Sequence, residues 1–148
     1  MENKNILKEI QSELKAPKGQ RNNFGNYNYR SAEDILEAVK PLLKKHNCAL
    51  VINDDVVEVG GRIYVKATAM LAIANTPFAS ATAFAREAES KKGMDEAQIT
   101  GAASSYARKY ALNGLLAIDD TKDADFTNKH GKDSPATKKV ATNNNDLI

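Results

Sequence analysis

The chain has 148 residues, of which 42% are hydrophobic and 27% are charged, and its formal net charge is +2 at pH 7. This length and composition indicate one globular domain with a tail and exclude a fully disordered chain. No apolar run approaches the ~20 residues that cross a bilayer, and the N-terminus lacks the pattern of a secretory signal. A single cysteine excludes a disulfide framework, and with only two histidines the chain cannot assemble the usual zinc cluster, so we expect a reducing compartment.

The first part of the chain predicts two helices separated by a loop. Apolar residues recur at helical spacing over residues 3–15 and predict the first helix. Residues 16–30 are rich in Gly, Pro and Asn, which predicts a loop. Ser31 precedes two acidic residues and is expected to cap a second helix, which runs to about His46 with a kink at Pro41.

The middle of the chain predicts three consecutive strands. Two β-rich stretches, 49–53 and 56–59, end at Gly60-Gly61, a two-residue hairpin signal. Residues 62–74 alternate apolar with polar side chains, and residues 78–86 alternate alanine with larger side chains. Short turns between these stretches predict an antiparallel meander.

The last predicted helix is rich in small residues. Asp95 is expected to cap it, and Asn113-Gly114 is expected to end it at about Leu112. Alanine on this helix and on the third strand predicts that helix and sheet pack closely, because short side chains let two backbones approach. The predicted apolar stripe of the helix comprises Ile99, Ala103, Tyr106 and Tyr110.

These elements predict an α+β fold, in which an antiparallel three-stranded β-meander packs with helices in the order α-α-β-β-β-α. We expect residues 1–118 to form this domain. Residues 119–148 begin with an acidic run and contain few apolar side chains, so they are predicted to be an acidic and polar disordered tail.

Basic residues near the sheet and the last helix form the first candidate site. Arg108 and Lys109 share a helix with glycine and serine, which suits the close approach of a sugar-phosphate backbone. The alternative is a solvated, lysine-rich surface. The candidate phosphate-binding groove comprises Lys66, Arg86, Lys91, Lys92, Arg108 and Lys109.

The loop of residues 16–30 interleaves three aromatic residues with three cations. Bases stack on aromatic rings, and each stacked base contributes about 1–3 kcal/mol to single-strand binding. Tyr27 and Arg30 are therefore candidate contacts to a nucleic-acid strand. The alternative is that the rings pin the loop onto the domain or fill a subunit contact, which is favoured for Tyr29 because it directly precedes a helix cap.

Other function classes lack their motifs. The acidic run 119–125 lacks the central Gly and the terminal Glu of a calcium loop. Asp54, Asp55 and Glu58 have no His or Lys beside them in sequence, which disfavours a hydrolytic site. Cys48 lies in an apolar run and is expected in the core. There is no G-x-x-x-x-G-K-[ST] motif, so ATP-driven chemistry is poorly supported, and we expect no enzyme activity, cofactor or metal.

Three segments resemble the phage Erf (essential recombination function) family. They are residues 27–35, residues 91–98 and, most specifically, residues 101–112. In this last segment a small-residue helix leads into tyrosine, a basic pair, tyrosine, alanine and leucine. A short apolar run, residues 115–118, and an acidic pair follow it, and the resemblance covers roughly residues 3–125.

The resemblance implies a single-strand annealing protein of phage homologous recombination. Such proteins coat single-stranded DNA and pair complementary strands without ATP, commonly as rings or filaments, and share a β-β-β-α core with the Rad-type annealing proteins. Arg108 and Lys109 carry over as candidate DNA contacts, whereas Tyr106 and Tyr110 are expected to pack. The implied partners are single-stranded DNA, further copies of the chain, and a single-strand-binding protein or an exonuclease, without a membrane, in the cytoplasm of the bacterial host.

Two other functions remain open at this point. A passive single-stranded DNA-binding module would bind strands without pairing them, and a metal-dependent DNA-processing enzyme would convert them to products. The tail is short and low in complexity, which departs from longer relatives in which such a segment docks partners.

Overall fold

The computed structural model describes residues 3–119. The chain divides into a body, formed by residues up to Pro17 and from Arg30 to Ile118, and a second unit to which residues 18–29 belong. Apart from Asp119, the tail predicted over residues 119–148 lies outside the described residues. Within the described part of the chain, no helix is both long enough and apolar enough to cross a membrane.

The body confirms the predicted α+β class and its order of elements. Its described part contains three helices and one antiparallel three-stranded sheet, and the second unit adds a two-stranded hairpin. The helices are α1 (Asn3–Glu13), α2 (Ala32–Lys45) and α3 (Glu96–Leu116). The strands are β1 (Gln20–Asn22), β2 (Tyr27–Tyr29), β3 (Ala49–Val59), β4 (Arg62–Ile73) and β5 (Thr76–Arg86).

The hairpin β1–β2 lies where the sequence predicted a loop. Its strands have only three residues each, so they carry none of the long alternation that marks a strand in sequence. Its turn is held by the backbone N–H of Gly25, which donates to Asn22 Oδ1 at 2.8 Å, and by Asn26, which adopts a left-handed φ of 59°. The loop prediction was therefore wrong for these short strands.

The predicted N-caps of α2 and α3 are confirmed, and each is part of a capping box. The hydroxyl of Ser31 accepts from the backbone N–H of Asp34 at 3.1 Å, and the Asp34 carboxylate accepts from the backbone N–H of Ser31 at 2.9 Å. Asp95 and Gln98 make the equivalent pair of bonds, both at 2.9 Å. α2 then runs through Pro41 to Lys45, and the predicted kink stays a prediction.

The predicted end of α3 at about Leu112 was wrong, because the helix continues to Leu116 and ends with Ala117 in the left-handed conformation. Tertiary packing outweighs the local stop signal here. Asn113 is buried, and a Cβ added at Gly114 would lie 3.5 Å from the Cβ of Ala81, so the glycine sits against β5 inside the helix.

The sheet has strand order β3-β4-β5 and two distinct faces. The inner face carries the apolar residues predicted for β4, and its buried members are Val65, Ala67, Ala69 and Leu71. The outer face carries the alternate positions, such as Thr68 and Thr82, whose hydroxyl oxygens lie 3.0 Å apart across β4 and β5. The predicted alternation is thus confirmed, and β3 is one continuous strand rather than two stretches.

Alanine on alanine makes the contact between α3 and the sheet. α3 packs on β4 and β5, and its residues Ala103, Ala107 and Ala111 belong to the same buried cluster as Ala67 and Ala69. This confirms the predicted close approach. Larger side chains fill the core toward the end of α3, namely Leu112, Leu115 and Leu116 together with Ile6, Ile10, Ile35 and Val39 of α1 and α2.

Two hydrogen bonds tie the ends of α3 to other elements. Near its start, the hydroxyl of Thr100 donates to the carboxylate of Glu87 at 2.6 Å. Near its end, the side-chain amide of Gln11 donates to the carbonyl of Leu115 at 2.8 Å. The helix is therefore fixed both beyond the end of β5 and against α1.

We expect Ala107→Leu to destabilise the body by about 1–3 kcal/mol, because a larger side chain at this contact forces the helix off the sheet. Urea unfolding followed by circular dichroism measures the change. Ala97→Leu is the matched control, since Ala97 is exposed on the same helix and should be close to neutral. An Ala107→Leu variant as stable as the wild type would contradict the close packing.

Glu13, the last residue of α1, links α1 to the end of α2. Its carboxylate accepts a hydrogen bond from Lys45 Nζ at 2.6 Å and lies 3.1 Å from His46 Nε2. The hydrogen bond from Lys45 and then that from His46 hold the pKa of Glu13 below its ordinary value of 4.5. The folded state therefore favours the charged carboxylate.

The stabilisation from Glu13 should be present above pH 4.5 and lost as the pH falls through its lowered folded pKa. We expect Glu13→Gln to lower the Tm at neutral pH, with the difference from wild type shrinking in acid. Thermal melts across this range measure it, and Glu9→Gln, an exposed change of the same charge on α1, is the control. A difference that persists unchanged into strong acid would contradict the link.

Candidate nucleic-acid interface

Two tyrosines stand exposed on α3. Tyr106 is 57% and Tyr110 is 48% exposed, and their rings are nearly parallel, with centroids 6.4 Å apart and an interplanar angle of 19°. The Nζ of Lys109 lies 5.9 Å from the centroid of the Tyr110 ring, within cation–π range. The prediction that Tyr106 and Tyr110 pack was wrong within the single chain.

Tyr106 and Tyr110 are exposed because alanine residues make the contact between α3 and the sheet. Past Ala103, the buried line of α3 continues through Ala107 and Ala111, because only the smallest side chains fit against the sheet. The two rings, displaced by one position each, fall on the flank of the helix. The run of alanine at four-residue spacing in the sequence was the signal that could have placed them there.

The opposite flank of α3 carries Arg108. Its Nε lies 3.1 Å from Oδ1 of Asp54, and the hydroxyl of Ser104 donates to Oδ2 of the same carboxylate at 2.6 Å. Arg108 and Tyr110 are two residues apart, and therefore about 160° apart around the helix axis. Arg108 thus belongs to a cluster with Ser104 and Asp54, separate from the two tyrosines.

Lys66 and Arg86 lie on the outer face of the sheet. Lys66 alternates with the buried Val65 and Ala67, and it stands opposite Phe84 in the pairing of β4 with β5. Arg86 is two residues beyond Phe84 and is exposed. Because α3 packs on the inner face, the sheet stands between these two cations and those of α3.

The six cations therefore do not line one groove within a single chain, and this part of the prediction is corrected. Strand parity explains the separation, since residues that alternate with buried alanines must point away from the helix that buries those alanines. Whether each cation contacts DNA stays a prediction.

Lys91 and Lys92 are exposed in the segment between β5 and α3. They line an open depression of about 780 Å³, together with three acidic residues, Glu89, Asp95 and Glu96. The acidic side chains balance the charge of the two lysines, so this depression is not a strongly positive surface.

Tyr27 contacts other residues of the hairpin. The hydroxyl of Tyr27 accepts from Asn22 Nδ2 at 3.1 Å, and its ring lies 6.1 Å from that of Tyr29 at 57°. Phe24 is fully exposed in the turn, which makes it the hairpin ring most accessible to a ligand. Arg30, the remaining candidate, is a half-buried residue of the body.

The described residues contain little that points to metal or thiol chemistry. Over residues 3–119, no group of three or more His, Cys, Asp or Glu side chains is arranged to hold a metal ion. Cys48 is partly buried and packs against the core rather than within it as predicted, and this burial raises the pKa of its thiol. Its thiol is correspondingly held in the neutral form.

Comparison with known proteins places the chain in a family. No solved structure was found to match it. The essential recombination function protein of Salmonella phage P22 is 61% identical over 124 residues, which are 84% of this chain and 58% of that protein, so the chain spans less than two-thirds of that relative's length. The ERF superfamily model matches residues 4–147. The resemblance noted in the sequence is thereby confirmed, and the chain belongs to the ERF superfamily.

Proposed function

We propose that the chain acts in phage homologous recombination, where it binds single-stranded DNA and anneals complementary strands without ATP. Family membership supports the role in recombination, and the name of the phage P22 relative states such a function. The proposal includes assembly of several copies into a ring or filament, with the β-β-β-α order of the body as the core of each copy.

The surface of α3 is the observation that carries the DNA-binding part of the proposal. Tyr106, Tyr110 and Lys109 combine exposed rings with a cation, the combination that sequence-independent single-strand binders use. Stacking occupies the faces of the bases, and cations contact the phosphates, so the hydrogen-bonding edges stay free. An annealing protein needs those edges free.

The other candidate contacts take secondary places in this proposal. Lys66 and Arg86 would hold a strand segment on the outer face of the sheet, beside the exposed ring of Phe84. Lys91 and Lys92 would contact phosphates near the start of α3. The hairpin would contribute Tyr27, and Arg30 would be a separate contact at the point where the chain returns to the body.

The remaining parts of the proposal concern the setting. The chain would act as a non-enzymatic protein in the cytoplasm of the bacterial host, and a single-strand-binding protein or an exonuclease would be its protein partner. Passive strand binding and metal-dependent processing of DNA are the alternatives that the following assay separates.

Complementary oligonucleotides that carry a fluorophore and a quencher test annealing directly. We expect the chain to speed pairing to the same extent with and without ATP and magnesium, because stacking and phosphate contacts need neither. A denaturing gel should show both strands intact afterwards. Binding without acceleration would support the passive module instead, and shortened or joined strands that appear only with magnesium would support the enzyme.

Replacing both exposed rings tests the surface of α3. We expect Tyr106→Ala with Tyr110→Ala to weaken binding of a thymidine homopolymer at least about thirtyfold, because two stacking rings are lost and each stacked base contributes about 1–3 kcal/mol. Tyr106→Phe with Tyr110→Phe is the matched control and should bind nearly as the wild type, since it keeps the rings. Fluorescence anisotropy measures the affinities.

Two further measurements sharpen this test. Lys109→Ala should flatten the dependence of log affinity on log salt by about 0.7, whereas the alanine replacement of both tyrosines should leave that slope unchanged. Light scattering shows whether the rings instead join copies of the chain. Unchanged DNA affinity together with smaller assemblies would assign Tyr106 and Tyr110 to a subunit contact and contradict the stacking surface.

A further inference from the structure

A carboxylate of the sheet sits against two donors of α3. Asp54 Oδ2 accepts the Ser104 hydroxyl at 2.6 Å, and Asp54 Oδ1 lies 3.1 Å from Arg108 Nε. Ser104 and Arg108 are one helical turn apart, so both donors point from the same flank of α3. The two oxygens of one anionic group are thus held by a hydroxyl and a guanidinium.

These donors are the ones that proteins use for phosphate. A guanidinium binds the oxygens of carboxylate and phosphate in the same geometry, and serine hydroxyls commonly contact the DNA backbone. The cluster is open to solvent, since the side chain of Arg108 is 41% exposed and that of Asp54 is 28% exposed. An anionic group from outside can therefore reach the position that Asp54 fills.

The two hydrogen bonds that Asp54 accepts do not by themselves require a negative charge. Asp54 lies on the inner face of β3, where Ile52 packs against the core and Val56 is exposed, so its carboxylate stands at the margin of the apolar contact. A neutral amide oxygen could accept from both Ser104 and Arg108. What the negative charge adds is a local counterion for the arginine.

We propose that Ser104 and Arg108 form a phosphate subsite on α3, which the carboxylate of Asp54 occupies in the free chain and yields to a DNA phosphate. This inference rests on the proposed function, because it assumes a single strand that runs along α3. Asp54 then lowers the affinity of the chain for DNA and supplies a group that closes the subsite again when the strand departs.

The exchange of the Asp54 carboxylate for a DNA phosphate is close to balanced in free energy, which makes the contact reversible. A solvent-exposed ion pair of this kind changes an equilibrium constant by less than about fivefold, so a phosphate can displace the carboxylate readily. In the wild type, Arg108 releases a cation from the DNA when it neutralises a phosphate. The carboxylate of Asp54, now without its arginine, attracts a cation from solution, so the net release is close to zero. Arg108 should therefore add little to the salt dependence of wild-type binding.

Asp54→Asn tests the subsite, since the amide keeps the size and an acceptor but removes the charge. We expect it to tighten binding of a thymidine homopolymer about two- to fivefold and to steepen the salt slope by about 0.7, because Arg108 now neutralises a phosphate without a competitor. Fluorescence anisotropy across a salt series measures both quantities.

Glu58→Gln is the matched control for net charge. Glu58 is exposed and lies on the same strand and the same side as Asp54. The change to glutamine therefore removes a negative charge from this side of β3 without altering the contacts of Ser104 and Arg108. The tightening of Asp54→Asn must exceed that of the control. Adding Arg108→Ala to Asp54→Asn should cancel the gain, whereas Arg108→Ala alone should weaken binding less than twofold.

A measurement on the unaltered chain covers the case in which Asp54→Asn fails to fold. The Nε–H resonance of Arg108, observed by ¹⁵N NMR, should shift when a thymidine homopolymer is added to the wild type. An unshifted resonance in the bound state would overturn the subsite, and so would an Asp54→Asn variant that binds no more tightly than the Glu58→Gln control.

The outcomes also separate this inference from the proposed function. If wild type and Asp54→Asn both fail to bind at low salt, the single-strand function itself is wrong and the subsite falls with it. If the wild type binds and anneals but Asp54→Asn only lowers the Tm, Asp54 serves only to stabilise the packing of β3 against α3. The phosphate subsite is then wrong, and the proposed function stands.

Discussion

The contact of alanine with alanine between α3 and the sheet determines where the remaining side chains of the body stand. Because Ala103, Ala107 and Ala111 bring the helix backbone close to β4, nothing larger fits beneath it. The rings of Tyr106 and Tyr110 are consequently left on one flank. On the other flank, the short side chain of Asp54 reaches across from β3 to Ser104 and Arg108 of the helix. One steric constraint thus produces both surfaces of α3.

Local signals predicted the elements whose boundaries depend on local chemistry. Ser31 and Asp95 begin their helices because each side chain bonds a backbone N–H within the next turn, an interaction complete within four residues. The end of α3 depends on burial against β5 and the other helices, which no local window contains. The hairpin β1–β2 was missed for a related reason, since three residues are too few to show a period.

The candidate site could be predicted in kind but not in arrangement. Residue types and family pattern selected the cations of α3, and the parity of β4 already separated Lys66 from that helix. The pairing of Arg108 with Asp54 joins residues 54 positions apart, so it requires the fold itself. The sequence of α3 contains two apolar lines, one with the tyrosines and one with the alanines. Which of them faces the sheet depends on the distance between helix and sheet, which the sequence does not contain.

Smooth surfaces of methyl groups interlock poorly, since alanine presents only shallow ridges and grooves to a neighbour. The axial position of α3 is therefore set near its two ends, by Thr100 on Glu87 at the start, and by Gln11 on Leu115 together with the packed leucines at the end. The number of residues between these anchors determines which side chains of α3 face the sheet. Inserting a single residue there would turn everything beyond it by about 100°, so that Tyr106 would take the buried place of Ala107, where the sheet leaves no room for a ring.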